Sequence, residues 1–285
     1  MRTKLTNPSD FKIAKEAADM ILVDDSFGTI VRGVQEGRCI YANIQAFINF
    51  LISCNIGEVL AVFFATVLGY PSMLSATQLL WVNLITDGPP AIALGWNPPD
   101  NTIMRKLPRS RDENIVTSWV LIRYLAIGLY IGGVTVGIFT FHFLSHGINV
   151  DMLTNWTMCL EYTRNSAICD AFSEDALALP RTLALTTLIL TEMLKALSSV
   201  SNDESLLQVG PQKNPYLLVG VSVPFAIHLG IMYSSILGFR AVSESFGITP
   251  LTIENWECVL FWSLPILLLE EVLKALSRSQ NSFDN

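Results

Sequence analysis

The stretch Leu79-Leu-Trp-Val-Asn-Leu-Ile-Thr-Asp-Gly-Pro-Pro90 places three oxygen-bearing side chains inside an apolar segment and then interrupts the helix. Asn83, Thr86 and Asp87 are spaced i, i+3 and i+4, so they share one face of a helix. Gly88-Pro89-Pro90 follows at once. Irregular backbone at the depth of a bilayer is tolerated only where it is buried in protein or lines a cavity. The stretch therefore predicts a polar site inside a bundle of membrane helices.

The amino-acid composition is that of a membrane protein. Of the 285 residues, 51% are hydrophobic and 15% are charged, and the mean hydropathy is +0.44, whereas an average soluble domain has about 25% charged residues. The net charge of −7 gives no reason to expect nucleic acid as a partner. We therefore predict an all-α protein whose helices lie in a lipid bilayer.

Six apolar segments reach the roughly 20 helical residues that a hydrocarbon core requires. A helical pattern that starts near Ile30 runs without interruption into the first segment, so this helix should extend into water as a stalk. If the N-terminus is cytosolic, six spans return the C-terminus to the cytosol, and 15 of the 18 Lys and Arg residues lie on that side, as the positive-inside rule requires. The predicted spans are 47–69, 75–95, 119–144, 180–200, 216–239 and 255–274.

Residues 1–38 differ in kind from the rest of the chain. The run Ile21-Leu-Val23, two aspartates and a helix from about Thr29 together predict one strand, a turn and a helix. One strand cannot bury a sheet. The region is therefore either the end of a larger α/β domain or a disordered segment.

Three acidic residues stand out inside the predicted spans, namely Glu58, Asp87 and Glu192. A carboxylate at the middle of a bilayer is energetically unfavourable, so each is a functional candidate. Asn55 lies three residues before Glu58 and is expected on the same helical face. All these groups offer oxygen, which favours a hard cation such as Ca2+. The alternative is that the polar side chains only join neighbouring helices by hydrogen bonds.

Charged neighbours bear on this interpretation. Lys195 lies three residues after Glu192, so it could neutralise that acid as an ion pair or extend toward the cytosol. Glu270, Glu271 and Lys274 lie at the cytosolic end of the last span, where we expect pairing within the helix.

Two further features concern packing and oxidation. Gly128-x-x-x-Gly132 and Gly133-x-x-x-Gly137 would let a neighbouring helix approach closely. Cys159 and Cys169 lie ten residues apart in a polar loop. They could form a disulfide if that loop faces an oxidising lumen.

Five motifs together resemble those of a known family, the P-type cation ATPases. The resemblance is to the C-terminal membrane half of the sarco/endoplasmic reticulum Ca2+-ATPases, and it runs from about Ala14 to Arg278. The motifs are Ala17-Ala-Asp-Met-Ile-Leu-Val-Asp-Asp25, Glu36-Gly-Arg38, Ile52-Ser-Cys-Asn-Ile-Gly-Glu58, Gln78-Leu-Leu-Trp-Val-Asn-Leu-Ile-Thr-Asp-Gly88 and Gly95-Trp-Asn-Pro-Pro-Asp100.

This resemblance implies a bundle of six transmembrane helices, similar to the family's fifth to tenth membrane helices. It also implies three parts: a remnant of the α/β phosphorylation domain at 1–38, a cation-transport domain at 39–278 and a tail at 279–285. Cys159 and Cys169 resemble the family's luminal cysteine pair. The family's Ca2+ ligands fall on Asn55, Glu58, Asn83, Thr86, Asp87 and Glu192.

The activity that the resemblance implies is ATP-driven transport of Ca2+ from the cytosol into the reticulum lumen, with protons carried the other way. The protein would be a multi-pass protein of the endoplasmic or sarcoplasmic reticulum membrane with both termini in the cytosol. The chain contains no Asp-Lys-Thr-Gly-Thr, Thr-Gly-Glu or Gly-Asp-Gly-x-Asn-Asp motif. We therefore expect no catalytic residue and no ATP hydrolysis in this chain, and a role for Mg2+ and ATP only in a full-length enzyme.

The expected partners follow from the same resemblance. They are the lipid bilayer, small membrane regulators, and the pump's actuator, nucleotide-binding and phosphorylation domains with its first four membrane helices. The alternative is a catalytically inactive, stand-alone membrane protein that binds cations or associates with a pump.

Overall fold

All regular secondary structure in the part of the chain that the structure describes is helical. The structure is a computed structural model, and it describes residues 12–13, 15–19, 21, 26–99, 103–104, 116–158, 169–201, 204–206 and 210–283. No strand occurs among these residues, so the predicted all-α fold is confirmed. The helices are α1 (Phe27–Val67), α2 (Ala76–Trp81), α3 (Gly88–Leu94), α4 (Ser118–Ser145), α5 (Val150–Thr154), α6 (Glu174–Ser198), α7 (Pro215–Met232), α8 (Arg240–Phe246), α9 (Ile253–Ser263) and α10 (Pro265–Phe283).

The N-terminal strand predicted from the sequence is not tested. It depends on Leu22 and Val23, which lie outside the described residues. The division of the chain at residues 38 and 278 likewise stays a prediction.

The first helix is far longer than a membrane crossing. Helix α1 has 41 residues without a break, which at 1.5 Å per residue gives a length of about 60 Å, roughly twice the thickness of the hydrocarbon core. Soon after its end, Gly69 adopts the left-handed conformation with φ 71°, which glycine tolerates best. The predicted helix that runs without a break into the first span is therefore present, and its extension into water stays a prediction.

The second apolar segment is interrupted where the sequence predicts. Ser75 caps the start of α2. Residues Val82–Thr86 then form a π-helical turn, and the Asp87 N–H donates to the Val82 carbonyl at 2.9 Å. Gly88-Pro89-Pro90 opens α3, and proline is tolerated in a first helical turn because those N–H groups have no partner in the helix. The interruption is thus a π-helical turn followed at once by a new helix.

Among the described residues, four helices are long and apolar enough to cross a membrane as single elements, and these are α1, α4, α6 and α7. The predicted spans 75–95 and 255–274 are each divided in two. Within the predicted span 255–274, Pro265 begins a new helix directly after Leu264. Proline lacks the N–H that would continue the hydrogen bonding of α9. The number of crossings therefore stays a prediction for these two segments.

The outward faces of the helices carry large apolar side chains. Phe63 on α1, Leu129 on α4, Val219 on α7 and Phe261 on α9 are exposed to 55%, 51%, 60% and 75%. Such surfaces are unfavourable in water and suit hydrocarbon. Together with the apolar helices, they identify the chain as a membrane protein that lies in a lipid bilayer.

Helix α6 lies at the centre of the bundle, where it contacts α1, α3, α4, α7, α9 and α10. Most of its residues are buried. This central position explains how a side chain on α6 can meet groups from several other helices.

Glycines let α1 and α4 approach closely. A Cβ atom on Gly132 would lie 3.0 Å from the Gly57 carbonyl oxygen and 3.1 Å from the Ala61 nitrogen. A Cβ on Gly57 would lie 2.6 Å from the Cβ of Ile131. At Gly133, in contrast, a Cβ would meet no described atom within 4 Å. The packing role predicted for the glycines therefore holds for Gly132, and Gly133 does not share it.

Replacing Gly132 with alanine should destabilise the protein. The new methyl group would press on the backbone of α1, and overpacking typically costs about 1–3 kcal/mol, which exceeds the roughly 1 kcal/mol that alanine gains over glycine in helix propensity. Unfolding of the purified protein by rising SDS concentration, followed by circular dichroism, measures the effect. Gly133→Ala is the matched control and should unfold at the wild-type midpoint or above. Equal midpoints for both variants would contradict the close approach.

Candidate cation site

The three acids predicted inside the membrane come from different elements and meet at one buried place. Glu58 lies on α1, Asp87 lies between the π-helical turn and α3, and Glu192 lies on α6. Their exposed fractions are 6%, 1% and 0%. Carboxylate oxygens of Asp87 and Glu192 lie within 4.8 Å of each other, and the charges of all three acids interact. We call Glu58, Asp87 and Glu192 the acidic cluster.

Most carboxylate oxygens of the acidic cluster have no hydrogen-bond partner among the described residues. Both oxygens of Asp87, both oxygens of Glu192 and Oε1 of Glu58 are buried and unpartnered. A buried carboxylate without a partner is strongly unfavourable. The cluster therefore requires a cation or protons to neutralise its carboxylates. Its oxygens are the ligands that Ca2+ prefers.

Two of the predicted polar ligands lie beside the acids. The Asn83 amide is exposed on one side and donates from Nδ2 to Oε2 of Glu58, so it ties the π-helical turn to α1. Thr86 is fully buried, and its hydroxyl donates to the Trp81 carbonyl at 3.5 Å. Asn83 thus already contacts an acid, while Thr86 is directed to its own helix backbone.

Asn55 lies apart from the other candidate ligands. Its exposed side chain donates from Nδ2 to the Leu51 carbonyl at 2.7 Å. It lines a shallow surface groove with Ile52 and Val59, whereas Glu58 is buried. A spacing of three residues leaves an angle of about 60° between two side chains around the helix axis. One side chain can therefore face the bundle while the other faces outward, and the structure does not bring Asn55 to the site.

Cys54 lies beside the acidic cluster, although it is not among the ligands predicted from the sequence. Its Sγ lies within 4.8 Å of carboxylate oxygens of Asp87 and Glu192, and its side chain is fully buried. The available signal was the i, i+4 spacing from Cys54 to Glu58, which places both on one face of α1. The structure therefore places a thiol beside the oxygen-bearing residues selected from the sequence.

Lys195 does not pair with Glu192. Its Nζ lies 2.6 Å from Glu270 Oε1 and donates to the Ser199 hydroxyl at 3.0 Å. It is fully buried, so it does not extend to the cytosol. Arg123 binds the other oxygen of Glu270 at 2.9 Å. Both expectations for Lys195 are wrong, because its side chain reaches Glu270 on α10 while Glu192 reaches the other acids.

We call Arg123, Lys195 and Glu270 the ion-pair cluster. Glu270 therefore binds helices α4 and α6 instead of a residue of its own helix. Lys274 likewise donates to the Ser198 carbonyl at 2.6 Å. The expectation of pairing within the last helix is therefore wrong for these two residues. One signal was available, because Arg123 and Lys195 are basic residues inside two apolar spans and Glu270 is an acid inside a third.

The predicted disulfide is only partly within the described residues. Among the described cysteines, Cys169 is disulfide-bonded, whereas Cys39, Cys54 and Cys258 form no disulfide. Cys159 lies outside the described residues, so its pairing with Cys169 stays a prediction.

Comparison with known proteins identifies similar sequences over almost the whole chain. Residues 71–276 match the family described as "Cation transporting ATPase, C-terminus". The chain is 42% identical over 302 residues to "Calcium-transporting ATPase 2, endoplasmic reticulum-type" of Arabidopsis thaliana, an alignment that covers 95% of this chain and 28% of that protein.

Two further relatives are also similar over almost the whole chain. The identity is 40% over 303 residues with "Calcium-transporting ATPase 4, endoplasmic reticulum-type" of Arabidopsis thaliana, covering 96% of this chain and 28% of the relative. It is 39% over 279 residues with "Calcium-transporting ATPase" of Plasmodium falciparum, covering 92% and 22%. The chain thus spans between 22% and 28% of the length of these relatives.

Replacing Glu270 with glutamine should destabilise the protein by about 3–5 kcal/mol, because Arg123 and Lys195 would stay buried without their carboxylate. The same SDS unfolding measurement reports the change. Glu257→Gln on α9 is the control, since Glu257 is exposed, and it should leave the midpoint unchanged. Equal midpoints for Glu270→Gln and Glu257→Gln would show that the ion-pair cluster does not hold the helices together.

Proposed function

Because the chain belongs to the family of cation-transporting ATPase C-termini, we propose that it is the cation-binding transport part of an ATP-driven Ca2+ pump. The acidic cluster supports this most directly, because its buried carboxylate oxygens lack partners. The three relatives named above are calcium-transporting ATPases, and two of them are of the endoplasmic reticulum type. The pump would move Ca2+ from the cytosol into the reticulum lumen.

The proposed ligands differ in how much they must move. Asp87 and Glu192 form the centre of the site, since their oxygens are close together and free. Glu58 and Asn83 close one side through their mutual hydrogen bond. Thr86 and Asn55 would complete the set after turning away from the backbone carbonyls that they bind in this structure.

Charge balance supports the proposed counter-transport of protons. When Ca2+ leaves toward the lumen, the acidic cluster would keep several negative charges at low dielectric, which is strongly unfavourable. Lys195 is held by Glu270 and so does not neutralise them. Protons entering from the lumen would then take the place of the cation.

The energy for transport would come from the rest of a full-length pump. This chain spans about 28% of two relatives. Transfer of a phosphoryl group from ATP needs Mg2+ and an aspartyl nucleophile. We assign that reaction to the actuator, nucleotide-binding and phosphorylation domains outside this chain. Residues 1–38 would end the phosphorylation domain, and α1 would carry its movement to the site. Residues 39–278 would form the multi-pass membrane domain, with 279–285 as a tail and both termini in the cytosol.

Replacing Asp87 with asparagine should weaken Ca2+ binding by at least about tenfold, or roughly 1.4 kcal/mol, because the isosteric amide removes one charge from the centre of the site. Equilibrium binding of radioactive Ca2+ to the chain in lipid nanodiscs measures this. In a full-length pump that contains the segment, the same substitution should abolish phosphoenzyme formation that depends on Ca2+.

Two variants serve as controls for this experiment. Glu257→Gln changes an exposed acid and should leave Ca2+ binding unchanged. Asn55→Ala should weaken it less than Asp87→Asn does, because Asn55 carries no charge and lies outside the cluster in this structure. Wild-type Ca2+ affinity in Asp87→Asn, or no Ca2+ binding by the unaltered chain, would contradict the proposed function.

A further inference from the structure

We propose that the site also takes divalent cations softer than Ca2+, represented by Cd2+ and Zn2+, with the Cys54 thiolate as a ligand beside Asp87 and Glu192. This inference rests on the proposed function, since it assigns a second substrate class to the same site. With the softer ion bound, the Cys54 sulfur would take the place of one oxygen ligand of Ca2+.

The geometry of the three side chains fits such an ion. The Cys54 Sγ and one carboxylate oxygen from each of Asp87 and Glu192 all lie within 4.8 Å of one another. Bonds of about 2.3 Å to sulfur and 2.1 Å to oxygen place neighbouring tetrahedral ligands roughly 3.6 Å apart. The separations in the structure reach up to 4.8 Å. Side-chain rotation that moves each atom by about 1 Å would bring the ligand atoms to the shorter spacing. Ca2+, with oxygens at about 2.3–2.6 Å, accepts the wider spacing without this contraction.

A second observation separates Cys54 from an ordinary core cysteine. The two carboxylates that face it are fully buried and lack partners. Cys39, in contrast, uses its thiol in a hydrogen bond to the Asn97 carbonyl at 3.5 Å. The Cys54 thiol is free and stands beside groups that need a cation.

The chemistry favours soft ions at this position. Thiolate ligands select softer metals, whereas carboxylates suit Ca2+. Binding would form a metal–sulfur bond as the thiol proton leaves to water, because a thiol must lose its proton to act as a ligand. The ammonium of Lys195 would not compete for Cys54, because it is bound to Glu270 at 2.6 Å.

The test is titration of the chain in lipid nanodiscs with Cd2+, which resembles Ca2+ in size but is softer. Absorbance in the ultraviolet reports the thiolate-to-Cd2+ charge-transfer band, and competition with radioactive Ca2+ reports occupancy of the site. Cys54→Ser should remove the band and weaken Cd2+ binding by at least about tenfold, while Ca2+ affinity stays within about threefold. Cys258→Ser, which changes a free thiol outside the cluster, should leave both affinities and the band unchanged.

A second measurement needs no substitution. The resonance of cadmium-113 bound to the unaltered chain should lie in the range of sites with a sulfur ligand. A resonance in the all-oxygen range, or a band and Cd2+ affinity that survive Cys54→Ser, would overturn this inference while leaving the proposed function intact. Failure of the unaltered chain to bind Ca2+ at all would instead count against the proposed function.

Discussion

Buried carboxylates that lack partners impose the constraint on which the rest of the structure depends. Asp87 and Glu192 have no hydrogen-bond partner for any of their four side-chain oxygens within the described residues. The bundle must hold these groups together although their charges repel. Packing elsewhere has to supply that stability, and the close contact of α1 with α4 through Gly57 and Gly132 is one place where it does.

The interruption of the second apolar segment orients one of these buried carboxylates. A π-helical turn adds one residue to a helical turn, so the residues that follow it are rotated relative to an unbroken helix. Asp87 stands directly after that turn. The turn therefore decides which way this carboxylate points, and the prolines of α3 keep the helix from closing again into a regular register. Helix α1, in contrast, is continuous over its 41 residues.

The sequence predicts the helical fold, the long first helix and the polar break, because these depend on local properties: apolar length, proline and glycine. The presence of acids within the spans could also be predicted. The direction of each side chain could not be predicted, because it depends on how each helix is rotated against its neighbours. Asn55 and Glu58 are three residues apart, yet one faces outward and the other is buried. Cys54 was overlooked for the same reason, since only the rotation of α1 brings it to Asp87.

Helix α6 separates two groups of charges that are only three residues apart. Glu192 belongs to the acidic cluster, while Lys195 belongs to the ion-pair cluster through Glu270. If Lys195 turned to Glu192, it would neutralise an acid of the proposed cation site, and the low dielectric would make that pair hard to displace. Glu270 prevents this by binding Lys195 together with Arg123. Glu270, which lies outside the acidic cluster, thus keeps the ammonium of Lys195 away from Glu192.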